Sequence, residues 1–148
     1  MTSFQDLLTR YVINPGLQIA GGGVRYGSVI YIGFGDTWTE NLRGRWDVRR
    51  FAVEVEFGAD EWSCLVDGKA YLGSNRPDLS LERDELDDIF IGGRLLNTSL
   101  TKVHFDLVLS GDVLIRSVVK PNQASGFLLT LSLADAIYET LDGCSLVD

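Results

Sequence analysis

The chain has 148 residues, of which 45% are hydrophobic. That is enough to bury one core and too little for two ordinary independent domains, so a single domain spanning 1–148 is expected. Twenty-one acidic against 13 basic residues leave a formal charge of −8, which repels phosphate backbones, argues against nucleic-acid binding and favours basic partners.

The N-terminal stretch lacks the basic start and apolar run of a signal peptide, and no window reaches the ~18 to 20 apolar residues of a membrane helix. The expectation is a soluble cytoplasmic protein with no membrane partner. Under that reading Cys64 and Cys144 are reduced thiols, and the sequon Asn97–Ser99 has no glycosylating compartment to meet.

In chain order, Phe4, Leu7, Leu8, Tyr11 and Val12 recur at helical spacing. With Ser3 as N-cap and "NPG" at Asn14–Gly16 as the stop, they predict a short amphipathic helix over 3–13. The stretch "IAGGGVRYGS" follows. Its three glycines stand before the apolar run "SVIYIGF", which reads as a strand, so the strand-to-helix context of a dinucleotide motif is missing. The glycines are expected to shape a bend or bulge where a strand enters a sheet.

Seven segments have the β-branched or aromatic, period-two texture of strands: 28–34, 50–57, 61–66, 102–109, 112–119, 126–133 and 136–141. They are punctuated by "FGD", "GAD", "DGK", "SGD" and "DGC", which predicts antiparallel sheets with one face in the core and the other in water. The run "RGRWDVRR" (43–50) reads as a solvated helix face or loop, and "SLERDELDDIF" (80–90) as a short acidic helix or turn. Trp38, Trp46 and Trp62 are expected to be core or edge-covering aromatics.

Laid over Gly111–Leu141 without a gap, Gly35–Leu65 keeps its apolar register: Trp38 falls on Leu114, Val53 on Leu129, Val55 on Leu131 and Trp62 on Tyr138. Upstream, "IAGG" at 19–22 sits opposite "FIGG" at 90–93. A duplication follows, with repeat one at about 17–75 and repeat two at about 89–147, each too small to cover its own apolar face. The expected fold class is mainly β (α+β): an antiparallel pseudo-twofold sandwich or partly open barrel, with the N-terminal helix and one short helix between the repeats.

Candidate chemistry is sparse. His104 is the only histidine, so metal sites built on paired histidines are excluded and a nucleophilic triad would have to use it. Two residues apart, His104 and Asp106 share one strand face, with Cys64 as a distant nucleophile. Val103, Phe105, Leu107 and Leu109 occupy the opposite phase, however, which leaves His104 and Asp106 as a surface pair in solvent. No motif calls for a cofactor or metal, and the acidic run lacks the "DxDxDG" turn of a calcium loop.

"GRWD" at 44–47 resembles the GxW signature near the start of lipocalin-like barrels, which would imply a small-molecule site in a barrel mouth. The repeated "FGD" at 34–36 and "SGD" at 110–112, Phe51 and Phe127, and "EWSCLVDG" against "IYETLDG" carry a broader likeness over about 17–147. In these the chain resembles small duplicated β-rich bacterial proteins of unassigned biochemistry, some of them similar to toxin-immunity proteins. The resemblance implies an intracellular, non-catalytic protein that occludes a partner, and the acidic charge suits masking of a basic nuclease site. Asp84, Glu85, Asp87 and Asp88 are the expected charged contact. An exposed strand edge would also permit a homodimer.

Overall fold

The computed structural model describes residues 3–25, 29–59, 62–73, 90–101, 104–118, 127–133 and 136–140. Helix α1 (Phe4–Leu8) starts where expected. The Ser3 side chain accepts from the Asp6 N–H at 3.1 Å, and the Asp6 carboxylate accepts from the Ser3 N–H at 3.2 Å. This reciprocal box satisfies two of the donors a helix start leaves open. One wider helical turn, Thr9–Ile13, continues it until Gly16 turns the chain at φ 69°.

Among the described residues ten strands follow: β1 (Ile19–Arg25), β2 (Val29–Leu42), β3 (Trp46–Ala59), β4 (Trp62–Val66), β5 (Lys69–Gly73), β6 (Leu95–Leu100), β7 (His104–Leu109), β8 (Val113–Val118), β9 (Phe127–Leu133) and β10 (Ile137–Thr140). They form two five-stranded antiparallel sheets, ordered β1-β2-β3-β9-β10 in sheet 1 and β5-β4-β8-β7-β6 in sheet 2, neither closed into a barrel. Alternation places Ile30, Ile32, Phe34, Val53, Val55 and Leu131 of sheet 1 in one apolar cluster with Cys64, Phe105, Leu107, Leu109 and Ile115 of sheet 2. The helix contributes Phe4, Leu7 and Leu8, with Phe4 edge-on to Phe105 at 6.2 Å between ring centroids.

Replacing each strand βn by βn+5 turns the order of sheet 1 into that of sheet 2. Local details follow the same exchange. The β1–β2 register slips between Ile19 and Gly21, and the β6–β7 register between Leu95 and Asn97. The Gly35 N–H donates to Gln18 O at 2.8 Å, as Ser110 N–H does to Arg94 O at 2.9 Å, and Gln18 and Arg94 pair with each other in an isolated antiparallel bridge. Under this exchange β3 corresponds to β8 and β4 to β9. The gapless alignment sets β3 on β9 and β4 on β10, and β3 and β9 are hydrogen-bonded neighbours, Val53 opposite Leu133 and Val55 opposite Leu131.

Sheet 1 carries an arm. "FGD" does not end a strand: the chain bulges between Phe34 and Thr37, with Gly35 at φ 82°, and β2 runs on to Leu42. Thr37–Leu42 pairs only with Trp46–Phe51, beyond the reach of β1 and β9, and turns at Arg43 and Gly44, φ 55° and 66°. At about 3.3 Å per residue this ribbon projects about 20 Å. The hairpin of β7 and β8 has no such extension, because Leu109 already pairs with Val113. The basic run 43–50, expected as a helix face or loop, is therefore the tip and returning strand of the arm. Trp62 is core, whereas Trp38 and Trp46 are 46% and 57% exposed, not buried.

The glycine stretch is strand β1, with its bulge at Ala20. None of Gly21, Gly22 and Gly23 has positive φ. They are needed for close approach instead: side chains there would meet the Arg49 guanidinium, the Phe90 ring and the Tyr31 ring within 2.6 to 2.9 Å. The acidic segment 80–89 lies outside the described residues; Phe90 at its end is buried.

Candidate functional site

The residues singled out for catalysis do not converge. Phe105, Leu107 and Leu109 point into the core as expected, and His104 is half-buried on the other phase. Asp106 departs from expectation, being 9% exposed rather than in solvent. Its cross-strand partner Arg116 covers it, donating from Nε to one carboxylate oxygen and from Nη2 to the other, both at 2.9 Å. A forked pair of this kind fixes both side chains. Hydrogen bonding to Asp106 raises the Arg116 guanidinium above its ordinary value. The carboxylate is committed to Arg116 rather than to orienting His104.

Cys64 faces the core from β4, the side opposite Asp106 and Arg116. Burial pushes its thiol up to about 11, so at neutral pH it is protonated and a poor nucleophile. The sign of the linkage is definite. Because the folded value lies above the ordinary 9.0, this group costs no stability below about pH 9 and up to ~3 kcal/mol as pH rises through 11. Urea midpoints at pH 8 and 11 should fall more steeply in the wild type than in Cys64→Ala; equal slopes would show that Cys64 does not carry the alkaline loss. Among the described residues, no three His, Cys, Asp or Glu side chains are grouped to hold a metal ion. No described helix is long and apolar enough to cross a membrane.

The outer face of sheet 2 is more informative. Opposite the core row, Leu65, Leu114 and Val108 are paired across β4, β8 and β7, and the bulge residue Leu96 adds a side chain that is 55% exposed. These apolar groups line an open depression of about 610 Å³. Two hairpin turns bound it. Asp67 and Gly68 join β4 to β5, Gly111 and Asp112 join β7 to β8, and all four have φ between 53° and 79°. The Asp67 N–H donates to Asp112 O at 3.0 Å and ties the turns together. Aspartate is tolerated in such left-handed positions, so both have a structural reason to be there. Their exposed side chains nonetheless put two carboxylates and no cation into the lining.

No protein family, curated protein or solved structure matches this chain. The functional reading therefore rests on geometry and charge.

A smaller depression of about 290 Å³ lies at the root of the arm on sheet 1, lined by Trp38, Phe51, Leu133 and Ile137 and crossed by the Arg50–Glu40 ion pair at 3.2 Å. Of the expected contact residues, Asp84, Glu85, Asp87 and Asp88 lie outside the described residues. The outer-face leucines and Val108 were not among the expected site residues. Their signal was present in "CLV", "LVL" and "VLI", runs in which both phases of a strand are apolar at one end of the sheet.

Proposed function

We propose that this chain is a non-catalytic interaction module that docks and masks a basic partner protein on the outer face of sheet 2. The observation that carries the reading is the apolar depression over Leu65, Val108 and Leu114 with Asp67 and Asp112 at its rim. An interface needs a desolvated apolar centre and a polar border, and here the border is negative. The overall charge of −8 would steer a basic surface toward it and speed encounter. This is the arrangement an immunity-type protein needs to cover a basic toxin site, with a cytoplasmic setting as part of the same reading.

The scaffold reading is a duplication in which each half gives three strands to one sheet and two to the other. The exchange of strand order, the matching bulges and the Gln18–Arg94 bridge support it, because an antiparallel bridge between equivalent residues is where a twofold axis would pass. Halves that share a core in this way form a pseudo-twofold sandwich.

The test uses the product of the neighbouring gene as the probe. Wild type should capture it, less strongly at high salt, and Leu114→Glu should weaken capture by roughly 30-fold or more by placing a charge at the apolar centre. Capture unchanged by Leu114→Glu, or insensitive to salt, contradicts the reading. The volume of the depression also falls in the range of small-molecule sites. A thermal-shift screen separates this reading, since a stabilising ligand lost with Leu114→Glu would favour it.

A further inference from the structure

We infer that the tip of the β2–β3 arm docks in the sheet 2 depression of a second copy of this chain. The inference rests on the reading of that face as a docking surface and adds an occupant to it. Over residues 37–51, four arginines against two carboxylates give the arm +2 and leave −10 on the rest of the chain. Within the arm, Arg50 is paired with Glu40 and Arg49 lies over the Phe51 ring at 5.1 Å. Arg43 and Arg45 at the turn have no ion pair among the described residues, and both are exposed beside Trp46.

The tip thus presents an indole and two guanidinium groups about 20 Å beyond the sheet, and the depression presents the complement. Its floor is apolar, its rim holds Asp67 and Asp112, and its volume of about 610 Å³ has room for an indole and a guanidinium. A two-stranded ribbon is marginally stable alone in water, which gives the arm a further reason to be covered. Each copy carries one such tip and, on sheet 2, one such depression. A reciprocal exchange closes as a twofold dimer, burying an aromatic anchor ringed by charge-assisted contacts at both ends.

Sedimentation or light scattering of the full chain over a concentration series tests this. The wild type should rise from its monomer mass of 16.4 kDa toward twice that value at low salt, and fall back at high salt. Trp46→Ala should weaken association roughly 30-fold, and Arg45→Glu should act in the same direction. Asp67→Asn with Asp112→Asn removes the rim charge while keeping residues that accept left-handed φ, and should also favour the monomer. Thermal unfolding checks that each variant is folded. A wild type that stays monomeric throughout, or a folded Trp46→Ala that associates as tightly as wild type, overturns the inference. The Trp46→Ala chain keeps its depression, so its capture of the neighbouring-gene product is read separately. If capture fails while wild-type association is lost in Trp46→Ala, self-docking stands and the foreign-partner reading falls.

Discussion

Phe105→Ala is expected to destabilise the fold by about 3–5 kcal/mol, the cost of a large cavity in a packed core. Phe105 is fully buried on β7 and meets Phe4 edge-to-face, with the planes 73° apart. The one ring therefore joins the N-terminal helix to sheet 2, and its loss takes away both its own burial and the surface on which Phe4 packs. Nearby Leu107 and Ile115 are also fully buried and held by strand pairing, so collapse into the void is limited. Urea unfolding should show the midpoint falling at nearly constant slope, with helix protection against hydrogen exchange reduced first. A loss below about 1 kcal/mol would mean that the helix does not depend on this contact.

Gly33→Val should have the next largest effect, about 1–3 kcal/mol, although valine is the better strand former. A Cβ at Gly33 would overlap the Phe51 ring at Cγ, Cδ1 and Cδ2. That ring lies on the outer face of sheet 1, between Tyr31, at 6.4 Å between centroids, and the Arg49 guanidinium. Displacing it opens the root of the arm. The effects of Gly33→Val and Phe51→Ala should therefore not add, because the smaller residue at 51 makes room for the larger one at 33. Additive losses in the double variant would contradict the account of Gly33 as the floor beneath Phe51.

The sheets were legible where side chains alternate. "VIYIGF", "HFDLVL" and "VLIRSV" announce their core faces, and the Ser3 cap and Gly16 stop set the helix. Strand β1 was not legible in that way, because glycines have no side chains to alternate and their purpose is set by Arg49, Tyr31 and Phe90 packed over them. Edge strands β5 and β6 were missed for a related reason: a strand with one neighbour needs little apolar patterning. Gly35 misled because a left-handed glycine at a bulge has the same signature as a turn, which concealed the arm. The burial of Asp106 depended on Arg116, a pairing across strands that spacing along one strand does not specify.

The proposed docking of a partner on the outer face of sheet 2 would leave a footprint in amide exchange. Hydrogen exchange of the full chain, alone and with the neighbouring-gene product, tests it most directly. Added protection should concentrate in β4, β7, β8 and the turns at Asp67–Gly68 and Gly111–Asp112, and should vanish with Leu114→Glu. Protection confined to helix α1 or to sheet 1, with β7 and β8 unchanged, would contradict it.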